Sequence, residues 1–120
     1  MRLLYIEDDL DQQLLLIRLL RDHEVKAVRH PSDALNIAQH FEPHAILIDI
    51  HLPEMNGFAL VEHLRSLPQT AQTFIVALTA DHTHTGHDYL QAGFDAYLLK
   101  PFSRQHLIEL LKDAEAPSID

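Results

Sequence analysis

Polar and apolar positions come in alternating blocks along the chain. Short, nearly unbroken apolar runs are followed by longer stretches in which apolar residues return every three or four positions. Leu3-Leu4-Tyr5-Ile6, Ala45-Ile46-Leu47-Ile48, Ile75-Val76-Ala77-Leu78 and the shorter Tyr97-Leu98-Leu99 are runs of the first kind, and their continuity predicts strands buried on both faces. Residues 24–28 alternate instead and predict a short strand at the sheet edge. Between these runs, residues 10–23 carry Leu14, Ile17 and Leu20 at helical spacing, and further helices are predicted over about 31–40, 58–66, 84–92 and 103–114. Pro31 opens the second helix, Ser32 and Ser103 are expected to cap the second and fifth, and Gly93 ends the short, polar fourth. Strand and helix alternate five times, which predicts an α/β fold: a five-stranded parallel sheet, doubly wound, in three layers.

Each apolar run ends in a reactive polar group: the first in Glu7-Asp8-Asp9, the second in Asp49, the third in Thr79, the fourth in Lys100-Pro101. Parallel strands put their C-terminal ends on one edge, where open α/β sheets carry their sites. Three acids, a hydroxyl and a lysine then meet, a set able to hold a divalent cation and accept a phosphoryl group. Asp49 ends the most buried strand and is the expected acceptor, since a carboxylate can attack phosphorus and form an acyl phosphate. Glu7 and Asp8 are the expected cation ligands beside it, and Lys100 suits phosphoryl oxygens as a flexible point charge. The Thr79 hydroxyl is a small donor for a phosphoryl oxygen, and Ala80 next to it leaves room for the phosphoryl donor. Asp9 reads as a helix cap instead of a ligand.

With 120 residues, 47% of them hydrophobic, the chain is expected to form one compact unit. The formal net charge of −9 argues against nucleic acid or an anionic membrane surface as a direct partner. Cysteine is absent, which excludes disulfides and thiolate metal sites. No stretch resembles a signal-peptide core or approaches the roughly 20 apolar residues of a membrane span, so a cytoplasmic location is expected.

Glu7-Asp8, then Ile48-Asp49-Ile50-His51-Leu52-Pro53 with Met55-Asn56-Gly57, then Thr79-Ala80, Tyr97 and Lys100-Pro101-Phe102, in this order and at these separations, resemble the receiver domain of two-component response regulators. The resemblance covers about residues 2–111 and has the flavour of receivers attached to hybrid sensor kinases. It implies a CheY-like, flavodoxin-like sheet with strand order 2-1-3-4-5, a receiver domain over 1–114, and a tail or linker start over 115–120. It further implies that a sensor histidine kinase or histidine phosphotransfer protein supplies the phosphoryl group in a phosphorelay. Mg²⁺, or Mn²⁺ in its place, would be held by Asp8 directly, Glu7 through water, Asp49 and the backbone carbonyl of His51. Thr79 and Tyr97 would form the switch, Tyr97 changing orientation so that the fourth helix, fifth strand and fifth helix present a new surface to an effector, a tethered domain or a second copy. A cis Lys100–Pro101 peptide is expected from the same resemblance.

Position 51 and position 81 vary in that family and tune phosphoryl lifetime. His51 and Asp81 are expected to face each other across the mouth of the site, which would make decay of the phosphoryl group pH-sensitive near neutrality. An unchanged decay rate and pH profile in His51→Asn would exclude this. Among ten histidines, His82, His84 and His87 are close enough in sequence to raise a transition-metal site, but exposed loop side chains are the simpler reading. Two other functions share part of this pattern. A haloacid dehalogenase-type phosphatase calls for a second Asp where His51 stands, and a receiver-fold scaffold without phosphorylation usually lacks part of the acid set that this chain keeps. The chain is therefore expected not to be an enzyme acting on an external substrate, apart from its own phosphorylation and dephosphorylation. A dinucleotide-binding reading fails because no glycine-rich turn follows the first strand.

Overall fold

In the computed structural model, which describes residues 1–115, five strands and five helices alternate: β1 (Arg2–Ile6), α1 (Leu10–Leu19), β2 (Glu24–Val28), α2 (Pro31–Phe41), β3 (Ala45–Asp49), α3 (Gly57–Ser66), β4 (Phe74–Thr79), α4 (Gly86–Ala92), β5 (Ala96–Leu99) and α5 (Arg104–Glu115). The expected tail beyond α5 falls outside the described residues. All strands run parallel in the order β2-β1-β3-β4-β5, so β2 and β5 are the edges and β3 is central.

The two-residue period of the strands sorts their side chains into two cores. Leu4, Ile6, Ile46, Ile48, Ile75 and Ala77 face one way and pack against α2, α3 and α4 through residues such as Ala34, Ala38, Leu60, Leu64 and Tyr89. Leu3, Tyr5, Ala45, Leu47, Val76 and Leu78 face the other way and meet α1 and α5 at Leu16, Leu20, Leu107 and Leu111. Every residue of β3 is buried, as its uninterrupted apolar run requires, whereas β2 and β5 alternate in burial as edge strands do.

Local caps account for most helix boundaries. Asp9 accepts from the Asp11 and Gln12 amides, Asn56 from Ala59, and Thr85 forms a capping box with Asp88. Ser103 Oγ takes the His106 amide, as its position predicted. Ser32 does not cap α2. The N-cap there is His30, with no side-chain bond, and Pro31 takes the first helical position, where its lack of an N–H is harmless. Helix α1 stops at Leu19 instead of reaching residue 23, because the chain must turn through Leu20 to start the edge strand at Glu24. Helix α4 starts at Gly86, two residues later than expected, since Thr85 holds the cap.

Gly57 opens α3 immediately behind β3 and donates its amide to the Ile50 carbonyl at 2.9 Å. A Cβ there would lie 2.8 Å from Ile50 Cδ1 and 3.0 Å from Ile50 Cα, and the backbone atom cannot give way. Gly57→Ala is expected to lower stability by about 1–3 kcal/mol, the range for overpacking a close contact, read as a lower urea midpoint at unchanged slope.

Candidate functional site

The C-terminal ends of β1, β3, β4 and β5 converge on one edge. Carboxylate oxygens of Glu7, Asp8 and Asp49 lie within 4.8 Å of one another, and among the described residues they are the only group of three His, Cys, Asp or Glu side chains close enough to share an ion. Glu7 is 1% exposed and Asp49 7%, while Asp8 is half-buried at the rim. Register explains the meeting: Ile6 pairs with Ile48, so the next residues of the two strands leave the sheet side by side.

Lys100 reaches this cluster from the far end of the chain. Its Nζ is 3.2 Å from Glu7 Oε1, 3.8 Å from Asp49 Oδ2 and 2.6 Å from Gln12 Oε1. The Lys100–Pro101 peptide is cis, and the Lys100 amide donates to the Thr79 carbonyl at 2.8 Å, which ties the lysine to the end of β4. Asp49 Oδ1 accepts from the His51 amide at 3.1 Å, fixing one carboxylate oxygen and leaving the other toward Lys100.

Burial raises Glu7 to about 7, with a shared hydrogen bond and repulsion from Asp49 acting in the same direction and Lys100 opposing them. At neutral pH, without a cation, the Glu7 carboxyl is thus partly protonated. Tyr5 donates to Glu7 Oε1 at 3.2 Å, and its own titration is driven far upward, first by burial and then by Glu7. Two buried acids held close against each other, with oxygen donors only, are what a hard divalent cation such as Mg²⁺ fits.

Thr79 is fully buried at the end of β4, and its Oγ1 accepts from the Asp81 amide at 2.9 Å. Ala80, next to it, is exposed at the mouth. His51 Nε2 stands 3.6 Å from Asp81 Oδ2, so the two side chains do meet across the mouth, and His84 Nδ1 joins the same carboxylate at 3.8 Å. Thr83, through its side chain and its backbone, holds Asp81 below the usual carboxylate range, with the two histidines adding to it. His84 also packs on the Phe58 ring, at a centroid distance of 4.8 Å. His82 and His87 enter no grouping of metal-ligand type among the described residues. Tyr97 stands on β5 at 40% exposure, stacked on Tyr89.

Several supporting residues were not identified from the sequence. Gln13 Nε2 donates to the carbonyls of Glu7 and Val28, at 2.6 Å and 3.2 Å, pinning the end of β1 to that of β2. Tyr5 and Gln12 complete the surroundings of Glu7 and Lys100. The available signals were a polar residue on the buried face of the first helix for Gln13, and a two-residue strand spacing from Glu7 for Tyr5.

The sequence matches the family model for the response regulator receiver domain over residues 3–112. The chain belongs to the receiver domain family of two-component response regulators. It is 32% identical over 115 residues to an uncharacterized 14.6 kDa protein of Leptolyngbya boryana, which it spans to 88% of that protein's length and 93% of its own. It is 30% identical to a segment of the sensory/regulatory protein RpfC of Xanthomonas campestris, 94% of the chain matching only 16% of RpfC. In three dimensions it is similar to the receiver domain of the sensor histidine kinase PA1611 of Pseudomonas aeruginosa, whose crystal structure has a magnesium ion coordinated in the active-site cleft. The TM-score is 0.87 at 29% identity, covering 96% of this chain and 98% of the other. The CheY-like fold that the resemblance implied is found, with strand order 2-1-3-4-5 and a TM-score of 0.83 to the chemotaxis response regulator CheY4 of Vibrio cholerae at 25% identity, covering 94% of this chain and 97% of the other.

Proposed function

We propose that the chain takes a phosphoryl group onto Asp49 from the phosphohistidine of a sensor histidine kinase or a histidine phosphotransfer protein. The observation that carries this reading is the convergence of the Glu7, Asp8 and Asp49 oxygens within 4.8 Å, with the Lys100 ammonium 3.8 Å from Asp49. A carboxylate oxygen of Asp49 forms the new bond to phosphorus, the bond from phosphorus to the donor imidazole nitrogen breaks, and the imidazole leaves with that electron pair. Lys100 balances charge on the transferred oxygens, and the Thr79 hydroxyl, which accepts from the Asp81 amide, keeps its own proton to donate to one of them.

Glu7, Asp8, Asp49 and the His51 carbonyl are the groups that would hold Mg²⁺, or Mn²⁺. When bound, such a cation neutralises the acid cluster and the incoming phosphoryl charge. Three carboxylates beside a single lysine leave a surplus of negative charge, which is the physical reason to expect the reaction to depend on the cation. The Pseudomonas neighbour with its magnesium ion supports this assignment.

The chain itself would turn over no external substrate, only its own phosphoryl group. Output would pass through the face built by α4, β5 and α5, where Leu90, Tyr97 and Leu99 are exposed, to an effector, a tethered domain or a second copy. A kinase partner of this kind places the domain in the cytoplasm. Incubation with acetyl phosphate and Mg²⁺ is expected to add the mass of one phosphoryl group, read by intact-mass spectrometry, and chelation of the metal is expected to prevent it. Failure to load in the presence of Mg²⁺ would overturn the reading.

A further inference from the structure

Tyr89 is the one large polar side chain of the core for which neither packing nor the site described above gives a reason. It sits in α4 with 0% exposure, at the centre of a stack: the Phe58 ring lies 5.5 Å away at 11° on one side and the Tyr97 ring 5.1 Å away at 17° on the other. Phe94 meets it edge-on at 6.1 Å. A phenylalanine would fill the same volume and stack on the same neighbours. The hydroxyl is the part to be explained, because among the described residues it is the only buried side-chain polar atom without a hydrogen-bond partner. An idle buried hydroxyl lowers stability.

The side-chain period that turns Ile75 and Ala77 of β4 toward Tyr89 turns the fully buried Thr79 the same way. Its hydroxyl is near enough to pull the Tyr89 phenol down against the upward push of burial, yet the two do not form a hydrogen bond in this arrangement. Thr79 Oγ1 has one proton and two lone pairs, and one lone pair already accepts from the Asp81 amide at 2.9 Å. If its proton turns to a phosphoryl oxygen, the second lone pair can be directed at Tyr89. A chain then forms from the Tyr89 hydroxyl to the Thr79 hydroxyl to the phosphoryl oxygen, in which each bond polarises and strengthens the next.

We infer that Tyr89 is a buried positioning residue for Thr79, whose hydroxyl gains its partner only when Thr79 engages the phosphoryl group, so that the aromatic stack from Phe58 to Tyr97 registers loading of the site. This rests on the phosphoacceptor reading of Asp49. It assigns Tyr89 a role distinct from that of Tyr97: Tyr97 is the exposed end of the stack, and Tyr89 links it to the hydroxyl that senses the phosphoryl group.

The test uses the protein with its three tyrosines replaced by 3-fluorotyrosine, titrated with beryllofluoride in the presence of Mg²⁺ and followed by ¹⁹F NMR. Tyr89→Phe both assigns the Tyr89 signal and removes the hydroxyl. In wild type, the Tyr89 signal is expected to shift on loading. Tyr89→Phe is expected to bind beryllofluoride about three- to tenfold more weakly, the equivalent of one hydrogen bond, while melting at the same temperature as wild type or higher. A purely structural role predicts the opposite pattern, with any loss of affinity accompanied by loss of stability. Wild type that loads while its Tyr89 signal stays fixed, or a Tyr89→Phe protein that binds as tightly as wild type, would overturn this inference alone. Wild type that does not load at all would remove the Asp49 reading and this inference with it.

Discussion

Asp49→Asn is expected to abolish phosphoryl loading completely and, in metal-free buffer near neutral pH, to make the folded protein more stable than wild type. Loss of loading follows because an amide oxygen is a poor nucleophile toward phosphorus and no second carboxylate replaces it. Glu7 is held by Lys100, Tyr5 and the Asp9 amide, and Asp8 stands at the rim. The gain in stability follows from the charges. Glu7 and Asp49 are buried beside each other, and the shared hydrogen bond and repulsion between them are the second and third causes, after burial, that keep Glu7 near 7. An asparagine removes the repulsion, leaves Lys100 paired with Glu7 at 3.2 Å, and can still accept from the His51 amide through its side-chain oxygen. Intact mass after acetyl phosphate reads the first effect and a urea titration the second. A variant that gains phosphoryl mass would move the acceptor elsewhere, and one that is less stable than wild type would show that the acid cluster is not strained.

Without a divalent cation, stability is expected to fall as pH rises from about 4.5 toward neutrality, and Mg²⁺ is expected to reverse most of that fall. The Glu7 carboxyl rises from its ordinary value of 4.5 in the unfolded chain to about 7 in the folded protein, so the folded state binds the extra proton in this window. A group with a raised folded value contributes its stability fully below the unfolded value and loses it as pH passes through the folded one. Other carboxylates favour the folded state more as pH rises, Asp81 and Asp88 among them, since both are held below their ordinary range. Glu7 is therefore read most clearly as the difference between wild type and Glu7→Gln at each pH. Above pH 7 the deprotonated cluster gains the most from a cation. A hundredfold excess of Mg²⁺ over its dissociation constant adds about 2.7 kcal/mol, and a domain of this size would melt roughly 10 °C higher. Thermal melts from pH 4.5 to 8 with and without Mg²⁺ check both statements. A Mg²⁺ effect that is no larger at pH 8 than at pH 5 would show that the cation does not bind these acids.

Much of this site was legible in the order of residues. The acids follow apolar runs of strand length, and in a parallel sheet such runs must end on one edge, so the order of residues alone brings Glu7, Asp8, Asp49, Thr79 and Lys100 together. Caps were readable for a similar reason. Asp9, Ser103 and Gly93 act within three residues of their own positions, where geometry is set by the local chain. The exception is Ser32, and there the local rule that prevailed, proline at the first helical position, is itself local.

Pairings across long distances in the chain were decided only by packing. Lys100 touches Glu7 across 93 positions, and its choice of Glu7 and Gln12 over Asp49 as the nearer partners depends on how β5 and α1 settle against β1. Arg65 shows the same limit: it reads as an ordinary basic residue near the end of α3. In the folded chain it donates to the carbonyls of Gly93, Thr70, Ala71 and Thr73 and pairs with Asp95 at 2.7 Å, joining α3, the connection before β4 and the turn after α4. Tyr89 is similar, since helical spacing alone does not reveal that its two flanking rings come from α3 and β5. The sequence by itself determined the strands, the helices, the edge on which the acids gather and the chemistry they can perform, because period and capping act over a few residues. The tertiary structure alone decided which acid is buried, which cation it faces and which hydroxyl is left without a partner. Those outcomes depend on the desolvation and contact that only the packed layers create.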